Sequence, residues 1–254
     1  MKGAMPHCFT NDNSRFSRQI RLPEVGPTGQ KKLHRASVLL VGCGALASSA
    51  AYYLAAAGIG RIGIADHDRV EISNLNRQIL HDTPRIGMRK VDSAYQTLKA
   101  LHPSLKLQTI ARKLTTIEAL SRILAGYDML IDCTDNFPTR YLINDACLQL
   151  SKPWVYASVS GFEGQAMTII PGRGPCYRCL YPSVPVHTNQ AESVMGVSPG
   201  IMGIIQAAEA IKYFLGIGSL LVGRMLFVDL LEMNVSPFNV SRNKDCPACA
   251  RHFA

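Results

Sequence analysis

Ser37-Val38-Leu39-Leu40-Val41 runs directly into Gly42-Cys43-Gly44-Ala45-Leu46-Ala47, and this junction decides the fold. The first five residues are an apolar, β-branched run stopped by glycine, the pattern of a buried strand. The Ala-rich stretch Leu46–Ala57 reads as a helix closed by Gly58, a residue suited to a left-handed cap. A strand, a G-x-G-x-x-A turn and a helix open a nucleotide-binding βαβ unit. Residues without side chains let backbone approach phosphate, and the helix N-terminus offers its free N–H groups there. Arg61–Asp66 reads as the second strand, with Asp66 placed 24 residues after Gly42, where an acidic side chain accepts hydrogen bonds from ribose hydroxyls.

Working outward, helical patterns at Met88–His102, Thr116–Ala125 and Arg140–Gln149 alternate with strand patterns at Leu107–Ala111, Asp128–Asp132 and Trp154–Ser158. That alternation predicts an α/β fold, a Rossmann-like, doubly wound and mostly parallel sheet. After Gly161 the character changes. Gln165–Ile170 reads as a strand, a Pro/Gly/Cys-rich segment runs to Pro185, and a polar loop continues to Ser198. Ile201–Phe214 reads as a helix, Arg224–Glu232 as a strand, and a second cysteine pair follows. The expected organisation is a loose N-terminus over 1–14 and one domain over 15–254. Its nucleotide-binding half spans about 15–160 and an elaborated C-terminal half about 161–254.

The chain has 254 residues, 47% of them hydrophobic, with 27 Lys plus Arg against 18 Asp plus Glu, a net charge of +9. Disorder is excluded for most of the chain, since enough apolar surface exists to offset ordering entropy. The most apolar stretch, near Ala50–Gly60, is too short to span a bilayer. Met1–Thr10 has no apolar core for a signal peptide, so a cytoplasmic location is expected, with no membrane partner. The cations are scattered, without a long basic run or an interleaved aromatic platform, so nucleic acid is not the expected primary partner. Eight cysteines in a reducing compartment point to metal, catalysis or packing.

The glycine fingerprint alone fits NAD as readily as ATP. The segment Asp66-His67-Asp68 through Ser73-Asn74-Leu75-Asn76-Arg77-Gln78, followed by Gly87-Met88-Arg89-Lys90, separates them. Dinucleotide dehydrogenases need no such cationic run, whereas nucleotidyl transfer must meet charge on phosphate oxygens with fixed cations.

These pieces, with Arg15-Phe16-Ser17-Arg18-Gln19-Ile20, Asp132-Cys133-Thr134-Asp135-Asn136, Glu163-Gly164-Gln165, Cys176-Tyr177-Arg178-Cys179 and Cys246-Pro247-Ala248-Cys249, run in one order over nearly the whole chain. The sequence resembles the ThiF/MoeB/HesA family, bacterial relatives of ubiquitin-activating enzymes. The resemblance implies ATP-dependent adenylation of the C-terminal carboxylate of a small ubiquitin-like sulfur-carrier protein ending in Gly-Gly, with release of pyrophosphate. It places Gly42, Gly44, Ala45, Asp66 and Asp68 around the nucleotide, with Asp66 on the ribose. Asn74, Arg77, Gln78 and Lys90 surround the phosphates, and Asp135 lies at Mg²⁺ or the reacting centre. Arg18 reaches into a partner subunit's site, which implies a homodimer. The family commonly has glycine where this chain has Ala45 and Ala47, and Ala45 lies near the phosphate path.

Cys176/Cys179 and Cys246/Cys249 are two C-x-x-C pairs, each able to present two thiolates to one tetrahedral ion. Spacing leaves a redox dithiol open beside a metal; the family position implies structural Zn²⁺. Cys8, Cys43, Cys133 and Cys147 read as packing or incidental thiols. Relatives that transfer sulfur through their own thiol carry a cysteine before the following helix. Pro182–Ser198 has none, and Gln190, Ala191 and Glu192 occupy that neighbourhood. Thiolation is therefore expected to fall to a sulfur-donor partner of desulfurase or rhodanese type. Two other readings remain: activation of a peptide or tRNA base by the same fold, and a non-catalytic nucleotide-binding scaffold.

Overall fold

The structure, a computed structural model, describes residues 15–184 and 193–250. The N-terminal segment 1–14, Cys8 within it, and Gln190, Ala191 and Glu192 of the cysteine-free loop lie outside the described residues.

In chain order the elements are α1 (Ser17–Ile20), α2 (Gly26–Arg35), β1 (Ser37–Val41), α3 (Ala45–Ala57), β2 (Arg61–Ala65), α4 (Lys90–Leu101), β3 (Lys106–Ile110), α5 (Ile117–Leu124) and β4 (Met129–Asp132). Then come α6 (Phe137–Gln149), β5 (Trp154–Ser160), β6 (Glu163–Ile169), α7 (Tyr177–Leu180), α8 (Val197–Leu215), β7 (Arg224–Asp229) and β8 (Asn234–Asn239). One eight-stranded sheet has the order β3-β2-β1-β4-β5-β6-β7-β8. The first five strands of that order are parallel, and β6, β7 and β8 are added antiparallel.

Strand β1 is buried throughout because both faces of the sheet are covered. Val38 and Leu40 point into a core shared with α3, α4 and α8, where Ala47, Ala50, Ala51, Leu54, Val91, Leu98 and Ala207 pack. Leu39 and Val41 point the other way, towards α5, α6 and the large aromatics Trp154, Tyr156 and Tyr177. Small residues on α3 let it approach α8 closely: a Cβ on Gly203 would come within 2.3 Å of the Leu46 carbonyl oxygen.

Four elements escape the sequence reading: the one-turn helices α1 and α7, helix α2 and strand β8. Helix α2 begins on Gly26-Pro27, a start signal easily taken for a turn, with proline in the first turn where its missing N–H costs nothing. Strand β8 contains Pro237 and is exposed at every position, so burial imposes no alternation on it, and its apolar residues Val235 and Phe238 fall on opposite faces. It is tolerated because it is an edge strand, paired only with β7. Strand order reverses between β1 and β4, opening a crevice at their C-terminal ends, where open α/β sheets take ligands.

Candidate functional site

Gly42 leaves β1 with φ +97°, donates its N–H to the Ala65 carbonyl at 2.8 Å, and turns the chain into α3. A Cβ here would lie 2.4 Å from the Cys133 carbonyl oxygen, so strand β4 itself demands glycine. Gly42→Ala is expected to cost about 2 kcal/mol or more through strain and collision, read as a lowered urea midpoint. Gly44 differs: a Cβ on it would meet nothing closer than Gln78 Nε2 at 3.6 Å. The protein leaves that face of the loop open. Ala45 begins α3 in helical geometry, so its methyl group needs no left-handed backbone. Among the described residues no side chain caps the first N–H groups of α3, which remain available to an anion.

Asp66 directly follows β2 and binds the loop rather than solvent alone. Its Oδ2 accepts from Cys43 N–H at 2.6 Å and its Oδ1 from Asp68 N–H at 2.7 Å. Each oxygen keeps a further lone pair for a ribose hydroxyl. Asp68 reaches Lys90, whose Nζ lies 3.0 Å from its Oδ2. Lys90 is buried although it opens helix α4, where the helix dipole disfavours a cation. His81, which the sequence reading passed over, ties these parts together. Its Nε2 lies 3.1 Å from the Cys43 carbonyl oxygen, and its Nδ1 lies 2.9 Å from Ser93 Oγ on α4. Burial lowers its pKa below the ordinary imidazole value.

Asn74, Arg77 and Gln78 stand on the turn that begins at Ile72. Asn74 spends its amide oxygen on Glu71 N–H at 3.1 Å, holding the turn. Arg77 donates to the Ser73 carbonyl and to Asn76 Oδ1 at 2.9 and 2.8 Å. Together with Ala45, Ser49, Asn76, Met195 and Gly196 it lines a cleft of about 290 Å³ beside the start of α3. Gln78 is buried, and its Oε1 has no partner among the described residues.

Asp135 is exposed beyond the C-terminal end of β4, across the crevice, where its Oδ1 accepts from Asn136 Nδ2 at 3.3 Å. Beneath it a buried frame fixes the loop. Asp132 Oδ1 accepts from Thr134 N–H and Oγ1, and the Arg140 guanidinium lies 3.6 Å from Oδ2 while donating to the Thr134 carbonyl. Burial pushes the Asp132 carboxyl up to about 6, against the pull of Arg140. Gln206 of α8 donates to the carbonyls of Asp132 and Val155, bridging β4 and β5 where they diverge. Asp132 stood in the quoted motif, but nothing in the sequence signalled that Arg140 and Gln206 would meet there.

Arg18 is not at this site within one chain. Helix α1 packs at the far end of α3: Gln19 donates to the Ala57 carbonyl at 2.8 Å, and Phe16 lies against Gly58. With 13 residues in α3, that end is about 20 Å from the glycine loop.

Cys176, Cys179, Cys246 and Cys249 come together, with all four Sγ atoms within 4.8 Å of one another. Sγ separations are 3.9 Å for Cys176–Cys179, 3.7 Å for Cys176–Cys246 and 3.5 Å for Cys179–Cys249. These are too long for disulfides and close to the edge of about 3.8 Å in a tetrahedron with Zn–S bonds of about 2.3 Å. Cys43, Cys133 and Cys147 are buried, and burial raises each thiol pKa, which suits packing and not nucleophilic attack. No helix among the described residues is long and apolar enough to cross a membrane.

Comparison with known proteins agrees with this arrangement. The chain is 45% identical over 244 residues to a sulfur carrier protein adenylyltransferase of Thermus thermophilus, covering 92% of this chain and 90% of that protein. It is 41% identical to a SAMP-activating enzyme E1 of Haloferax volcanii, covering 92% and 88%. It is 47% identical to the adenylyltransferase and sulfurtransferase MOCS3 of Drosophila sechellia, covering 89% of this chain but spanning only 51% of that longer protein. Among solved structures, E. coli MccB with ATP shares the fold at a TM-score of 0.82 and 21% identity, covering 94% of this chain and 75% of that one. The ThiF family pattern matches residues 16–248, and with relatives this similar along nearly their whole length, the chain belongs to the ThiF family.

Proposed function

We infer that the protein is an ATP-dependent adenylyltransferase that activates the C-terminal carboxylate of a small sulfur-carrier protein. The observation that carries this reading is the convergence of an open glycine loop, uncapped α3 amides and the buried Lys90 ammonium on one crevice, in a chain 45% identical to a sulfur carrier protein adenylyltransferase.

ATP fits the groups present. Gly44 leaves room for phosphate, Asp66 would accept from ribose, and Gln78 Oε1, without a partner among the described residues, is a buried acceptor beside the loop. Arg77 and Lys90 offset triphosphate charge, and Asp135 offers a hard carboxylate for Mg²⁺, which neutralises phosphate oxygens when bound. The attacking group is a carboxylate, already ionised near neutral pH, so no general base is required. What this chain supplies is alignment of the carboxylate with the α-phosphate and fixed positive charge around it.

The four cysteines fit Zn²⁺ as a closed structural site that pins the C-terminal tail to α7 and leaves no open position for chemistry. With no cysteine between Pro182 and Ser198, and with Cys43, Cys133 and Cys147 buried, sulfur comes from a donor partner. The test of the main reading is ATP–pyrophosphate exchange with a carrier ending in Gly-Gly. Exchange that needs the carrier is the expected result; equal exchange without it points to a different acyl substrate.

Arg18, remote from its own crevice, serves the site of a second subunit in a homodimer. Arg18→Ala and Lys90→Ala chains, each inactive alone, should regain about a quarter of the parental activity when co-refolded in equal amounts. Half the dimers are then mixed, each with one intact site. Absence of complementation removes Arg18 from the partner's site.

A further inference from the structure

The cations that look scattered in the sequence are gathered by the fold. Five parallel strands begin at one edge of the sheet, and helices α2 to α6 all end there. Contacts fix α8 at the same edge, since Lys32 Nζ donates to the Leu215 carbonyl at 3.0 Å. Helix α2 brings Lys31, Lys32 and Arg35 to this face, and α4, α5, β2, β3 and the turn before β5 bring one Lys or Arg each. Against these eight cations the turn before β4 places Asp128, whose carboxylate is bound to Ser37 N–H and Oγ, while on α8 Lys212 and Glu209 pair with each other and add no net charge.

Helix capping accounts for part of this charge. Six helix C-termini, each worth about half a negative charge, contribute about three charges, fewer than the seven net positive charges present. Among the described residues only Lys32 and Lys99 of the eight donate to nearby carbonyls, and Arg61 lies over the Tyr127 ring. Lys31, Arg35, Lys106 and Arg122 are exposed, and among the described residues none of the eight cations is in an ion pair.

We propose that this face, at the N-terminal edge of the parallel strands, is a docking surface for the phosphate backbone of nucleic acid. Its extent matches a polyanion better than a small ligand: four strand spacings are about 19 Å, the length of about six phosphates along one strand. The chemistry disfavours a protein partner, because protein interfaces are centred on aromatic and apolar side chains and are depleted of lysine. The exposed large apolar residues cluster elsewhere, notably Leu231, Met233, Val235 and Phe238 around β7 and β8. A membrane surface is disfavoured for the same reason, since no apolar wedge accompanies the cations. The face lies opposite this chain's own nucleotide crevice, so a nucleic acid bound there leaves that crevice open, and its four exposed cations stand on α2, β3 and α5, not on α1, which carries Arg18. The proposal does not depend on the adenylation chemistry.

The test is fluorescence anisotropy of the full chain with a 24-base-pair RNA hairpin and a DNA duplex of equal length, from 50 to 200 mM salt. Anionic vesicles and polyglutamate serve as the other polyanions. Micromolar binding is expected, with an affinity that falls steeply with salt, by a log–log slope of about −0.9 per phosphate contact. Binding of both duplexes assigns the shared phosphate backbone; binding of the hairpin alone assigns RNA as its source. The Lys31→Glu, Arg35→Glu, Lys106→Glu, Arg122→Glu chain should lose at least about tenfold in affinity and flatten that slope. The corresponding alanine chain, with an unchanged melting temperature, should lose affinity in the same direction. Both should keep pyrophosphate exchange, because none of the four lies near the crevice. No binding at 50 mM salt, an unaltered slope in the folded variants, or equal binding of vesicles or polyglutamate overturns the proposal.

Discussion

Lys90→Ala is expected to lower the turnover number for adenylation by about 10²–10³, the cost of removing one preorganised charge-stabilising donor. The melting temperature should stay within a few degrees of the parent. The structural argument rests on what Lys90 lacks. It sits at the positive end of α4, is buried, and among the described residues has one carboxylate partner, Asp68, which is half exposed. A cation held there for stability alone would be poorly placed. The same ammonium is well placed for phosphate, because Asp68, Asp66 and Cys43 form a continuous chain of contacts from Lys90 to the glycine loop. Removing it leaves Asp68 to water, at little cost in stability. Single-turnover measurement with saturating ATP and carrier checks the prediction, and a variant within tenfold of the parent would remove Lys90 from the phosphate site.

Loss of metal from the cysteine cluster should have the opposite signature, large in stability and small in chemistry. The purified chain is expected to carry one zinc. Strong chelation or Cys246→Ser should lower the melting temperature by about 10 °C, taking a few kcal/mol at about 2–4 °C each for a domain of this size. The two cysteine pairs are far apart in sequence, yet 3.7 Å separates Cys176 from Cys246 and 3.5 Å separates Cys179 from Cys249. Without an ion, four sulfurs this close would have only weak mutual contacts to hold the tail. Surviving chelated protein should still exchange pyrophosphate, since the cluster lies outside the crevice. A metal-free preparation with an unshifted melting curve would return the cluster to ordinary thiols.

The parallel half of the fold was legible because its signals are local. Four of the five strands there are apolar runs bounded by glycine, a turn or a charge, the edge strand β3 mixes polar and apolar residues, and each helix follows at the expected interval. The glycine loop and the acidic residue after β2 were legible for the same reason: Gly42, Gly44 and Asp66 carry their spacing in the chain. Strand β8 was not legible, since an exposed edge strand has no buried face to impose alternation. Nor were His81, Arg140 and Gln206, because a buried polar group is defined by its partners. Those partners, Cys43, Asp132 and Val155, lie 38, 8 and 51 residues away.

The sequence by itself determined the strand–turn–helix opening, the place of Asp66 at the end of the second strand and the two cysteine pairs, all set by spacings within a single motif or βαβ unit. It also determined a net charge of +9. Only the tertiary structure decided where that charge goes. Strand starts and helix ends are spread along the chain but converge at one edge of a parallel sheet, so cations that form no run in sequence share one face. The same geometry decided that Arg18 belongs to the far end of its own chain. A helix such as α3 carries the backbone about 20 Å from one edge of the sheet to the other, and sequence proximity to the glycine loop counts for nothing against that length.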